Sequence, residues 1–128
     1  MPPRVLLSAA LLALALGCGA RPLAAQGREC RDPRTQAAMN HCAQEGWRAA
    51  DGALNSAYAR LGARLGTARR AKLRTAQLAW IRFRDGHCDF ERSLHAGGSM
   101  QPAVYYACME ATTRARTAQL RAALEAEG

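Results

Sequence analysis

An all-α fold, a bundle of three antiparallel helices stapled at one end by two disulfides, is what this sequence predicts. Three observations predict it. Only one proline, Pro102, lies between residues 34 and 128, and neither a run of β-branched residues nor a period-two alternation occurs. Apolar residues recur instead at helical spacing. Four cysteines, Cys30, Cys42, Cys88 and Cys108, remain once an export leader is set aside, and an even number in a small exported chain reads as a disulfide framework.

The leader is assigned to residues 1–25. Arg4 precedes the apolar run VLLSAALLALAL, residues 5–16. A spanning helix needs about 20 residues, so this run fits the hydrophobic part of a secretory signal instead. Cleavage after Ala25, with Leu23 and Ala25 at the −3 and −1 positions, is favoured over cleavage after Ala20. Leu16-Gly17-Cys18 partly resembles a lipobox, which makes lipid anchoring through Cys18 a competing reading, weakened by Ala15 where a larger aliphatic is usual. Residues 26–128 then form a single domain, large enough for one core and too small for two. Losing Arg4 and Arg21 takes the net charge from +8 to +6. Export argues against nucleic acid as the partner of this basic chain.

The first helix is expected to start at Asp32-Pro33 or at Thr35, two competing caps. Its inward stripe reads Met39, Cys42/Ala43, Trp47, Ala50, Leu54, Ala57/Tyr58, Leu61 and Leu65, and Gly66 suits the position just past its end. Thr67 is expected to cap the second helix, with Leu73, Ala76, Trp80, Phe83, His87/Cys88, Phe90 and Leu94 inward. HAGGSMQP, residues 95–102, is the clearest loop. Ser99 is expected to cap the third helix, with Pro102 tolerated in its first turn. Its inner face reads Val104, Tyr105, Cys108, Thr112, Ala115, Gln119 and Ala122, with Leu120 and Leu124 on the outer flank.

Short connections make neighbouring helices antiparallel, which gathers all four cysteines at one end. Three pairings are open on sequence alone. A hairpin folded about Gly98 sets Cys88 opposite Cys108, each ten residues from the turn, and so favours Cys88–Cys108 with Cys30–Cys42. The opposite end becomes a basic tip of Arg64, Arg69, Arg70, Lys72 and Arg74, because no acid occurs between Asp51 and Asp85. That tip is either a solvated face or an attraction for the anionic envelope surface or an acidic protein, weakened by salt.

The stretch AWIRFRDGHCDFE, residues 79–91, carries the residues with chemistry. His87-Cys88 and His41-Cys42 together offer the ligand types of a zinc site, but adjacent residues on a helix point about 100° apart and cannot easily serve one ion. A cystine sulfur also has no thiolate with which to attack. No paired-carboxylate, Ser-His-Asp or phosphate-loop pattern is visible, so the residues point neither to an enzyme nor to a cofactor. Arg84, Asp85 and Arg116, with neutral members Asn55, Gln77 and Thr113, read as a polar network between helices, since buried polar groups need partners.

Blocks spread along the mature chain carry a resemblance. CRDPRTQAAMNHCA (30–43), ADGALNSAY (50–58), AQLAWIRFRDGHCDFE (76–91), GGS (97–99) and CMEATTRARTAQL (108–120) look like those of the LprI-like lysozyme-inhibitor family, small exported bacterial helical domains. Ala38 departs from the pattern, where an acid would complete a capping box with Thr35. The resemblance implies binding of lysozyme in the cell envelope and inhibition of its muramidase activity. A strongly basic lysozyme would be repelled by a +6 chain unless the contact face is locally acidic, which puts that face at the cystine end near Asp85, Asp89 and Glu91. Lysozyme cleaves with two carboxyl groups in a cleft, and a protruding loop of His95, Gly97, Gly98 and Ser99 would offer donors to both. The plainer reading of GGS is a tight helix connection.

Overall fold

Thr35, not Asp32, starts the first helix. Its backbone is extended, at φ −123° and ψ 154°, and its Oγ1 accepts from the Ala38 amide at 3.1 Å. The computed structural model describes residues 30–128; the expected leader and Cys18 lie outside them. Three helices follow in order, α1 at Gln36–Arg64, α2 at Thr67–Ser93 and α3 at Gln101–Ala126, and the described residues contain no strand.

Two expected stops and starts are resolved differently. Gly66 does not end α1 in a left-handed turn; its φ is −66°, and it is the N-cap of α2, so Thr67 is the first helical residue and not the cap. Arg70 removes the need for that turn. Its Nε donates to the Gly62 carbonyl at 2.9 Å and its Nη2 to the Leu65 carbonyl at 3.0 Å. The orphan carbonyls at the end of α1 are thus satisfied from the first turn of α2. Ser99 likewise does not cap α3: Met100 holds the N-cap without a side-chain bond, and Pro102 sits in the first turn as expected.

Helix α2 runs antiparallel to its neighbours, so α1 and α3 are parallel. Both α1 and α2 pack chiefly on α3 and much less on each other. Small residues explain the close α1–α3 approach: Ala50 and Ala57 from α1, with Thr113 and Thr117 from α3, are all buried. Toward the tip, Leu54, Ala57, Leu61, Leu65 and Leu120 form the core, edged by Tyr58, Leu73, Trp80 and Leu124. Each fully buried leucine contributes roughly 1.5–3 kcal/mol.

Two inner faces are rotated from their expected positions. On α2 the buried line is Gln77, Arg84 and Cys88, with Leu73 and Trp80 partly covered, while Phe83, Phe90 and Leu94 are 60%, 59% and 63% exposed. Both lines have helical spacing, but only one lets Cys88 face α3, and the disulfide selects it. On α3 the buried residues are Met109, Thr113, Thr117 and Leu120, so Leu120 is core rather than flank, and Ala115, Gln119 and Ala122 are exposed. Met39 on α1 is 40% exposed where the stripe had it inward; Ala38 is buried beside it.

Gly86 lies mid-helix in α2, and a Cβ there would meet no atom of the described residues within 4 Å. Gly86→Ala is therefore expected to stabilise the fold by about 0.5–1 kcal/mol, because glycine loses the most backbone freedom on helix formation. Thermal unfolding followed by circular dichroism checks this; an unchanged or lowered midpoint contradicts it.

Candidate functional site at the cystine end

The expected pairing holds. Cys30–Cys42 joins Cα atoms 5.3 Å apart and Cys88–Cys108 joins Cα atoms 5.5 Å apart. The first bond folds the pre-helical segment back onto α1; the second closes the α2–α3 hairpin. Cys88 is fully buried, and the Thr112 hydroxyl lies 3.9 Å and 4.0 Å from the Cys88 and Cys108 sulfurs. Arg92 places its guanidinium 5.2 Å from the centre of the Tyr105 ring, a second tie across the hairpin.

Between α2 and α3 the chain turns through residues 94–100, all exposed. Gly97 has φ +78°, a conformation L side chains rarely adopt, and this lets the turn stay tight. The Ser99 carbonyl accepts from Asn40 Nδ2 at 3.1 Å, which ties the turn to α1. His95, Gly97, Gly98 and Ser99 thus share one projecting connection. It is flanked by apolar side chains: Phe90 and Leu94 on the approach from α2, and Met100, 48% exposed, on the far side. Phe83 stacks on His87 at 5.5 Å and extends the same stripe down α2.

Of the expected acidic face, Asp85 and Asp89 are paired, as are Glu45 and Glu110 nearby. Asp85 binds Arg84 at 2.8 Å, Asp89 binds Arg92 at 2.7 Å, Glu45 binds Arg48 at 2.7 Å and Glu110 binds Arg114 at 2.7 Å. Glu91 has no ion-pair partner among the described residues. The local field is therefore weaker than the acid positions alone suggest.

The polar network exists as two pieces. Arg116 Nε donates to Gln77 Oε1 at 3.0 Å and its Nη1 to Gln119 Oε1 at 3.0 Å, joining α3 to α2, and burial lowers the Arg116 pKa below its ordinary value. Separately, Asn55 donates to Asp51 at 3.0 Å, Asp51 lies 3.5 Å from Arg84, and Arg84 binds Asp85 while covering the Trp80 ring at 5.1 Å. Thr113 belongs to neither piece; its buried hydroxyl has no partner among the described residues. The sequence reading omitted Asp51, although its place four residues before Asn55 puts both on one face.

At the opposite end, two of the five basic-tip residues are committed within the fold. Arg69 pairs with Glu127, and Arg70 caps α1. Arg64, Lys72 and Arg74 make no ion pair among the described residues. No described helix is long and apolar enough to cross a membrane, and no group of three or more described His, Cys, Asp or Glu residues is placed to hold a metal ion.

The pattern of the family described as lysozyme inhibitor LprI matches residues 30–120, from the first disulfide cysteine to the buried Leu120. An uncharacterized protein of Rhizobium meliloti (strain 1021) is 36% identical over 132 residues, covering 92% of this chain and 95% of its own. No solved structure matches the chain.

Proposed function

The chain belongs to the LprI lysozyme-inhibitor family, and on that premise we propose that it binds lysozyme and blocks muramidase activity through its cystine end. The observation that carries this reading is the exposed apolar side chains around the projecting turn. Phe90, Leu94 and Met100 are large, exposed and grouped about His95–Ser99. Grouped exposed apolar residues of this kind mark binding surfaces on small soluble domains.

The two disulfides bear on how such a surface works. A turn already held in its bound shape loses little conformational entropy on docking, which favours affinity without a large area. The turn enters the cleft in this scheme, with His95 and Ser99 donating to the cleft carboxyl groups and the glycines allowing close approach. The apolar stripe rests on the rim. Because the acids are mostly paired, shape and apolar contact carry the affinity, while Glu91 supplies local negative charge against a basic partner.

The test is inhibition of purified c-, g- and i-type lysozymes at physiological salt. Phe90→Ser with Leu94→Ser, and separately His95→Ala with Ser99→Ala, are each expected to weaken inhibition by about 10- to 30-fold, the loss typical of residues central to an interface. All these side chains are exposed, so the fold should persist. Unchanged potency in both double variants would remove the cystine end from the mechanism. No inhibition of any lysozyme by the intact protein would remove the reading itself.

A further inference from the structure

Because α1 and α2 lean on α3 more than on each other, a groove of about 410 Å³ stays open between them, well away from the projecting turn. Leu54 and Ile81 give it an apolar lining, and Asp51, Asn55, Tyr58, Arg74, Gln77 and Arg84 supply polar groups. In the antiparallel register Asp51 meets Arg84 at one end, and Tyr58, two turns or about 10 Å further on, lies toward Gln77 and Arg74.

The hydrogen-bond inventory of this groove is unbalanced. Gln77 is more than nine-tenths buried, and Arg116 has donors only, so the bond from Arg116 Nε fixes Oε1 of the amide as the acceptor. Gln77 Nε2 is left with two hydrogens and no partner among the described residues. That donor faces the groove and is not sealed from solvent, so a ligand accepting the bond would take the place of water there. The Tyr58 hydroxyl also lacks a hydrogen-bond partner among the described residues. Asn55 uses its amide on Asp51, which leaves its Oδ1 as an acceptor. The Arg84 charge is met by Asp51 and Asp85, whereas Arg74 has no acid within ion-pair distance among the described residues.

The complementary molecule follows from these groups. It carries a carboxylate for Arg74, a carbonyl for Gln77 Nε2, a hydroxyl able to donate to Asn55 Oδ1, and a small apolar group to lie on Leu54 and Ile81. We propose that the α1–α2 groove binds a carboxylate-bearing N-acyl saccharide. The amide carbonyl and methyl of the acyl group serve Gln77 and the apolar lining, ring hydroxyls serve Asn55, and the carboxylate serves Arg74. This site does not depend on lysozyme binding, and its residues are separate from the turn.

Titration of the oxidised domain with N-acetylmuramic acid, followed by ¹⁵N–¹H correlation spectra, tests the assignment. Saturable shifts are expected in the side-chain amides of Gln77 and Asn55 and in the backbone around Tyr58 and Arg74. N-acetylglucosamine, which lacks the carboxylate, should bind at least about tenfold more weakly, as should N-acetylmuramic acid to the Arg74→Gln variant. Tyr58→Phe should weaken binding by a smaller factor while leaving the spectrum of the free protein nearly unchanged. Overturning results are an absence of saturable shifts in the groove, equal binding of the neutral sugar, or an unaltered affinity in Arg74→Gln. Equal saturation by N-acetylalanine would overturn the saccharide assignment.

Discussion

Replacing Cys88 and Cys108 together by alanine is expected to lower stability by about 2–4 kcal/mol, or the melting temperature by roughly 10–25 °C. The bond closes a loop across 20 residues, and removing it returns conformational freedom to the unfolded chain. Cys88 is also fully buried, so alanine there leaves a void where a sulfur was. For a domain whose whole stability is of the order of 5–15 kcal/mol, this is a large share. The Cys30–Cys42 bond spans 12 residues and ties an exposed segment to α1, so its removal should cost less. Thermal unfolding of the two double-alanine variants, with and without reductant, makes the comparison. Equal losses would show that closure of the hairpin does not dominate.

Leu120→Ala is expected to cost about 2–5 kcal/mol, the range for a leucine truncated inside a packed cluster. Leu120 is 2% exposed and packs among Leu54, Ala57, Leu61 and Leu65. Its neighbour Gln119 is exposed, and Gln119→Ala should stay within about 0.5 kcal/mol despite losing a bond from Arg116. Urea denaturation of the two variants reads the difference directly. A larger effect at position 119 than at 120 would reject the orientation of α3 described above.

That pair of substitutions also marks where the sequence was legible and where it was not. Helix number and order follow from spacing, because short connections leave few arrangements; the disulfide pairing was favoured by spacing about Gly98, with two other pairings still open. Rotation of each helix about its own axis was harder. Helix α2 carries two apolar lines, and hydrophobicity alone prefers Phe83, Phe90 and Leu94 over a line containing Gln77 and Arg84. Cys88 held the deciding signal: a cysteine bonded to α3 must face it, and the positions four and eleven residues before it, Arg84 and Gln77, turn inward with it. The same logic applied to Cys108 brings in Thr112, four residues on, but not the buried Met109 beside it. The candidate contact surface at the turn was partly legible, since HAGGSMQP announces a loop, but its apolar flank was hidden by the assumption that phenylalanines lie inside. The α1–α2 groove was not legible, because it depends on how α1 and α2 diverge, a property of packing and not of pattern.

Both covalent crosslinks are local: one lies wholly within the α1 portion, the other wholly within α2–α3. A single protease cut at the Leu65–Gly66 junction therefore divides the oxidised protein into two unconnected polypeptides, each retaining its own cystine. Their continued association would rest on the α1 interface alone, and so would fail on dilution.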